Sequence, residues 1–412
     1  MLIMKEWKEY KYTDLATIIG GGTPKTSVPE YWNGEIPWLS VKDFVSVTKY
    51  VYDTEKHISE LGLLNSSTKL LEKNDIIISA RGTVGAMAMI PYPMCCNQSC
   101  FGLRGNSIVD KNFLYYLTRT KVDELKKSAH GSVFDTITRE TFNNLQCLVP
   151  PLQSQQKIGN FLSSLDSKIE LNRRINDNLE QQAQALFKSW FVDFEPFKEG
   201  KFVDSELGMI PESWRVCSAE TIFKINIGKT PPRKEQQWFS NINNGNVKWI
   251  SISDLGSNEI FIEDSKEYLT KEAISKFNII VVPEDTILVS FKLTVGRVGI
   301  SNCELTTNEA VARFYLPKSY FREYTYLSLK NYNYARLGST SSIATAVNSK
   351  IIKNMKLLIP PVTIISEFSK RINPLFNAIR IYENEIRNLS KIRNTLLPKL
   401  MSGELKINDI NN

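Results

Sequence analysis

The residues equipped for chemistry are few and poorly spaced for it. Six cysteines (Cys95, Cys96, Cys100, Cys147, Cys217, Cys303) and two histidines (His57, His130) make up the stock of soft metal ligands. No C-x-x-C pair occurs, and Cys95, Cys96 and Cys100 lack a well-spaced fourth ligand, so they read as free thiols and no metal site is expected. Gly228-Lys229-Thr230 imitates the end of a phosphate loop. The glycine required five residues earlier is Phe223, however, and Pro231 and Pro232 stand where a helix should begin. Gly20-Gly21-Gly22 lacks the Lys-Thr ending altogether. Pro150-Pro151 and Pro360-Pro361 follow Val149 and Ile359, not the Asp or Asn with which amino-methyltransferases open the Pro-Pro motif that holds a target amine. No glycine-rich motif for a methyl donor accompanies them. No catalytic residue is assigned, and the chain is expected not to be an enzyme by itself.

What remains is the chemistry of recognition. Long polar side chains recur in loop segments of both halves: Lys25, Lys42, Arg81, Thr83, Asn97 and Gln98, then Lys229, Arg233, Lys248, Lys292, Thr294 and Asn308. Arg, Lys, Asn and Gln are the side chains that make bidentate contacts to guanine or adenine in the major groove of DNA. Each is equally a solvated surface residue or a phosphate contact, and Thr83 and Thr294, which precede Val-Gly in both halves, also suit a turn. Ser132 with Asp135 and Ser339 with Thr345 are weaker candidates in loops ahead of the long helices.

The elements that must position these residues are repeated. Gly21-Gly22-Thr23-Pro24 is echoed by Gly228-Lys229-Thr230-Pro231, Pro37-Trp38-Leu39-Ser40 by Lys248-Trp249-Ile250-Ser251, and Asp43 by Asp254. Thr83-Val84-Gly85 returns as Thr294-Val295-Gly296, and Asn97-Gln98 as Asn308-Glu309. The runs IPWLSV, NDIIISA, VKWISIS and DTILVSF are short, β-branched and bounded by turn residues, as strands are, and a helix follows over Asn112 to Lys127. Each half reads as an α+β domain.

Behind each domain stands a much longer helix. From Pro150 the apolar residues Ile158, Leu162, Leu165 and Ile169, then Leu179, Ala183, Leu186 and Trp190, step by fours and threes, the seam of a helix that pairs with another helix. Pro360 lies 210 positions after Pro150 (360 − 150), and the same offset lands on Phe368, Ile372, Leu375, Ile379, Leu389, Arg393, Leu396 and Leu400. Asn172 and Asn176 are the polar seam positions, matched in this register by Tyr382 and Ile386; a buried Asn fixes register. Pro374 should kink the second helix near its start and Pro398 should end or bend it near Leu396. The segment Leu186 to Phe194 carries Leu186, Phe187, Trp190, Phe191 and Phe194, more aromatic surface than one seam position per turn buries, so Leu186, Trp190, Phe191 and Phe194 are candidates for binding a partner protein.

Composition sets the class. The chain of 412 residues is 42 % hydrophobic, holds no run of 18 apolar residues, and opens on the charged MLIMKEWKEYKYTD, so a soluble cytoplasmic protein with no membrane contact is expected. Its net charge is only +7, with 17 basic and 16 acidic residues over 1–150 and 21 and 17 over 197–360. A chain that alone gripped nucleic acid by its phosphates would be more basic, so partners should share the grip. The expected domains are 1–150 and 197–360, the second with an N-terminal linker from Pro196 to Pro211, together with a central spacer helix in 151–196 and a distal helix and tail in 361–412.

A helix from Ser154 to about Asp193 is roughly 60 Å long at 1.5 Å per residue, whereas a domain of this size has a radius of gyration of about 15 Å. The second domain cannot carry the chain back along that length, so the two helices should pair antiparallel as a coiled coil, in a pseudo-twofold dumbbell. Over essentially its full length the chain resembles the specificity subunits of Type I restriction-modification systems. The resemblance rests on the two Pro-Pro pairs that precede long helices, on Ala185 to Phe197 (ALFKSWFVDFEPF), on Gly208 to Val216 (GMIPESWRV) and on Leu396 to Leu405 (LLPKLMSGEL). It implies two target-recognition domains, each reading half of a bipartite site in double-stranded DNA, and a coil that docks two methyltransferase subunits and, in a nuclease form, two restriction subunits. Methyl donor and ATP would then belong to the partner subunits, with no cofactor on this chain. The rival reading is a non-catalytic coiled-coil scaffold whose domains both bind proteins.

Overall fold

Alternation within short apolar runs decides where each strand's side chains go, and it does so identically twice. A computed structural model of the chain describes residues 6–45, 48–129, 136–256, 259–337 and 347–409. Ser132, Asp135, Ser339 and Thr345 lie outside the described residues. The chain divides into two units, Met1–Asn172 with Glu385–Asn412, and Arg173–Asn384.

In the first unit the strands are β1 (Lys8–Lys11), β2 (Ala16–Gly20), β3 (Trp32–Leu39), β4 (His57–Ile58), β5 (Ile76–Ser79), β6 (Met87–Met89), β7 (Cys95–Cys96), β8 (Cys100–Gly105) and β9 (Gln146–Val149). One sheet runs β2-β8-β5-β6, another β4-β3-β7, and β1 pairs with β9. In the second unit β10 (Phe202–Val203) and β11 (Ile210–Pro211) form a small hairpin in the linker. They are followed by β12 (Arg215–Ser218), β13 (Lys224–Ile227), β14 (Phe239–Ser240), β15 (Val247–Ile250), β16 (Phe261–Ile262), β17 (Glu267–Leu269), β18 (Ile287–Ser290), β19 (Val298–Ser301), β20 (Thr306–Thr307), β21 (Val311–Tyr315) and β22 (Lys356–Ile359). Its sheets run β13-β21-β18-β19-β16 and β14-β17-β15-β20, and β12 pairs with β22.

The repeat holds at the level of register. Trp38 and Leu39 of β3 pair in parallel with Cys95 and Cys96 of β7, as Trp249 and Ile250 of β15 pair with Thr306 and Thr307 of β20. The central strands β5 and β18 are buried on both faces. Ile76 and Ile78 enter one core and Ile77 another, just as Ile287 and Val289 part from Leu288.

The two long helices span Leu152–Phe191 and Val362–Met401. Neither stands apart as a separate spacer, because half of each packs into each unit's core: Ile158, Leu162, Leu397 and Leu400 in the first, Ala183, Phe187, Phe368 and Ile372 in the second. Within each unit they run antiparallel, as expected. Asp166 meets Arg393 while Asn172 meets Glu385 in the first unit, and Phe187 and Phe191 meet Phe368 in the second.

The seam departs from the expected one at six leucines. Ile158, Leu162, Ile169, Phe368, Ile372, Ile379 and Ile386 are buried, whereas Leu165, Leu179, Leu186, Leu375, Leu389 and Leu396 are half-buried. Beside four of them the buried residue is the next along the chain: Asp166, Phe187, Phe376 and Leu397. After Leu162 the helix takes a step of four where stepping between leucines takes three, and a buried carboxylate at Asp166 is invisible to a search for apolar residues. Pro398 does not end the second helix. Both Pro374 and Pro398 lie on its exposed face, so the carbonyls of Lys370 and Asn394 that each leaves unpaired face water, and the helix runs on to Met401.

The aromatic end of the first helix is core and not partner surface. Trp190 is 6 % and Phe191 4 % exposed. Phe191 meets Phe368 at 4.7 Å, Tyr324 at 4.9 Å and Trp214 at 5.7 Å between ring centroids, and the Arg371 guanidinium covers Trp190 at 5.3 Å. Half-buried Phe194 packs against Trp214 and Phe202, and half-buried Leu186 packs on the same core. The surplus of aromatic surface is absorbed by the unit's own second helix and by the linker hairpin. No helix among the described residues is long and apolar enough to cross a membrane.

Candidate nucleic-acid interface

Three loops carry the recognition candidates of the first unit: residues 21–25 after β2, 80–85 between β5 and β6, and the turn at 97–99 between β7 and β8. Backbone bonds tie them into one surface. Gly22 N donates to the Cys96 carbonyl at 2.9 Å and Ala80 N to the Ser99 carbonyl at 2.7 Å. The Thr23 hydroxyl donates to Gln98 Oε1. Gly21 must be glycine, since a Cβ there would strike the Asn97 carbonyl. The second unit repeats every link: Lys229 N to Thr307 O at 2.9 Å, Phe291 N to Ala310 O at 2.9 Å, Thr230 to Glu309, and Gly228 against the Asn308 carbonyl.

Several candidates turn out to build these loops. Asn97 Oδ1 accepts from Ser99 N at 3.0 Å and Asn308 Oδ1 from Ala310 N at 3.1 Å. Both are turn formers whose acceptor is already engaged, not free bidentate readers. Ser79 Oγ donates to the Thr83 carbonyl and Ser290 Oγ to the Thr294 carbonyl at 2.6 Å, so both threonines shape the hairpin tip while their side chains stay exposed. Asp43 caps the turn after β3 by accepting from Ser40 N at 2.7 Å, and Asp254 accepts from Ser251 N at 2.8 Å.

Arg233 is held twice over. Its guanidinium donates to both oxygens of Glu267 at 2.7 and 2.9 Å and stacks over Phe239 and Trp249 at 4.4 and 4.5 Å. The Arg233 side chain beside it holds the Glu267 carboxyl below its ordinary value. Lys229 Nζ donates to the Phe277 carbonyl at 2.6 Å, and Lys248 Nζ lies 3.3 Å from Cys303 Sγ. Each of these three base-reading candidates is thus engaged by a group of the second domain itself.

Lys25, Lys42, Arg81 and Lys292 are exposed, and none pairs with a carboxylate among the described residues. Arg81 and Lys292 occupy the same place on equivalent hairpins. In the second unit Lys292 borders a cleft of about 640 Å³ with Ser251, Ser253, Asn308 and Glu309. The sequence reading missed Leu293, at the tip of that hairpin, 96 % exposed. Cys95, Cys96, Cys100 and Cys147 belong to the interior, and burial pushes Cys95 up to about 11 and Cys100 and Cys147 up to about 12, leaving thiols that ionise poorly near neutral pH.

Two copies of one domain, each offering an exposed cation on an equivalent hairpin and each packed on a pair of long helices, define a tandem-repeat recognition protein. The chain belongs to the Type I restriction modification DNA specificity domain family, which matches residues 4–181 and 211–391. It is 31 % identical, over 99 % of its length and 95 % of the relative's, to the Type I restriction enzyme MjaIX specificity subunit of Methanocaldococcus jannaschii. To the HindI specificity subunit of Haemophilus influenzae it is 24 % identical over 98 % of this chain and all of the other. The crystal structure of a Type I restriction-modification S subunit from M. genitalium shares the fold, with a TM-score of 0.59 at 16 % identity and 96 % of each chain covered.

Proposed function

We propose that this chain is the DNA-reading subunit of a Type I restriction-modification complex, each unit reading one half of an asymmetric bipartite site. The observation that carries the reading is the pair of equivalent hairpins, on which Arg81 and Lys292 stand exposed without a carboxylate partner among the described residues. The domains share ancestry and differ where bases would be touched: Arg81 stands against Lys292 and Gln98 against Glu309. Carboxylates and amides favour different base edges, so the half-sites should differ in sequence. About 60 Å of helix spans at most ~18 base pairs at ~3.4 Å each, and access from one face favours half-sites about one helical turn apart.

Catalysis belongs to partners in this reading: two methyltransferase subunits hold the methyl donor, ATP belongs to restriction subunits where these are present, and the assembly works in the cytoplasm. The methylome of cells carrying this chain with its methyltransferase is expected to show an asymmetric bipartite motif with an unread gap and one methylated base in each half. Exchange of residues 1 to 150 for the matching domain of a relative should change one half only. A continuous or palindromic motif, or an exchange that alters both halves, would overturn the assignment.

We propose that the methyltransferase docks on apolar side chains that the long helices leave exposed. Leu171 is 50 % and Ile381 64 % exposed, and they occupy the same repeat position, 210 residues apart (381 − 171). Two equivalent apolar sites suit two identical partners. Replacing Leu171 and Ile381 together by Glu is expected to leave the urea midpoint of the chain nearly unchanged while weakening copurification with the methyltransferase by at least tenfold. Undiminished assembly would place the partner elsewhere.

A further inference from the structure

Leu293 has no structural reason to be leucine. It stands between exposed Lys292 and Thr294 at the tip of the β18–β19 hairpin with φ of 57°, a left-handed conformation that crowds any Cβ against the backbone carbonyl and favours glycine. The first domain puts Gly82 at the equivalent place with φ of 73°. Leu293 therefore carries a backbone penalty and buries nothing in return: 96 % of its surface faces solvent, the largest fraction of any large apolar residue described. Strain held at an exposed position is a signature of function, and the reward must come from outside the chain.

The neighbours say what lies there. Lys292 beside it is exposed with no carboxylate partner among the described residues, and Glu309 and Asn308 line the same cleft. Resting on the DNA-recognition reading above, we infer that Leu293 packs on the C5 methyl of a thymine in the major groove of the second half-site, beside the base contact of Lys292. The thymine methyl is the one apolar group that a base presents at the major-groove edge, and an aliphatic side chain on a polar hairpin matches it. The first domain, with Gly82, makes no such contact.

The test uses the complex with its methyltransferase and duplexes in which each thymine of the second half-site is replaced in turn by uracil, which removes the methyl alone. At one position uracil is expected to weaken binding by about fourfold, the worth of one buried methyl. In the Leu293→Gly variant, which relieves the backbone and so does not threaten folding, that position should become indifferent to uracil. An effect at no position, an equal effect in both proteins, or a half-site lacking an A·T pair would overturn the inference. So would 2-aminopurine fluorescence that brightens only when Leu293 is present, since that reports a wedge between base pairs. Failure of the parent complex to prefer its methylation site over other DNA would instead overturn the recognition reading itself.

Discussion

Alanine at both Trp190 and Phe191 is expected to unfold the second unit, and any loss of partner binding should follow from that. Phe191 touches Phe187, Phe368, Tyr324 and Trp214, and Trp190 touches Phe368 and Phe197, so the pair joins the first long helix to the second, to the domain and to the linker. Truncating one buried aromatic to alanine costs about 3 to 5 kcal/mol. Two together cost roughly 6 to 10 kcal/mol, against a whole-domain stability of about 5 to 15 kcal/mol. Urea titration followed by tryptophan fluorescence and far-UV circular dichroism checks this. A double variant that keeps the parent's midpoint and fails only to assemble would restore the aromatic end as a docking surface.

The contrast with Leu171 and Ile381 shows which signals a sequence carries. The 210-residue offset was legible because the same heptad phase recurs, and it survives as matched burial: Ile158 with Phe368, Leu162 with Ile372, Ile169 with Ile379, Phe187 with Leu397 and Trp190 with Leu400 are all buried. The strands and the paired loops were legible from turn residues, and Asn97-Gln98 against Asn308-Glu309 marked equivalent turns. Long-range capture was not. Arg233 meets Glu267 across 34 residues, and nothing local in either segment announces it. Asn172 was legible as a buried polar seam residue, but the buried carboxylates were hidden: Glu383, 3 % exposed, accepts from Ile260 N at 2.6 Å and Phe261 N at 3.0 Å, a contact that fixes the domain on its helix. Leu293 escaped because exposed leucines are common, and only its backbone conformation sets it apart.

The two units solve one packing problem with different chemistry, and that difference predicts how each tolerates change. In the first, Arg393 Nη1 donates to Asp166 Oδ1 at 2.5 Å, and the Tyr116 hydroxyl donates to Asp166 Oδ2 at 2.6 Å; the carboxylate is fully buried and the guanidinium side chain 10 % exposed. By the 210-residue offset Asp166, Arg393 and Tyr116 correspond to Phe376, Ala183 and Tyr326 in the second unit. There the Tyr326 ring meets Phe376 edge-on at 5.6 Å, and Ala183 is fully buried. Removing one member of a buried ion pair strands the other charge, so Asp166→Ala or Arg393→Ala alone is expected to cost about 3 to 5 kcal/mol. Replacing the pair by its counterparts, Asp166→Phe with Arg393→Ala, removes both charges and returns an apolar contact but leaves the Tyr116 hydroxyl without its acceptor, so the double variant should lie about 1 to 3 kcal/mol below the parent, well above the sum of the two single losses. Urea midpoints of the four proteins in the cycle give the answer. If the double variant loses as much as the two single variants combined, the helix pair of the first unit packs Asp166 and Arg393 in a space that Phe and Ala do not fill. The correspondence between the two seams would then end at sequence.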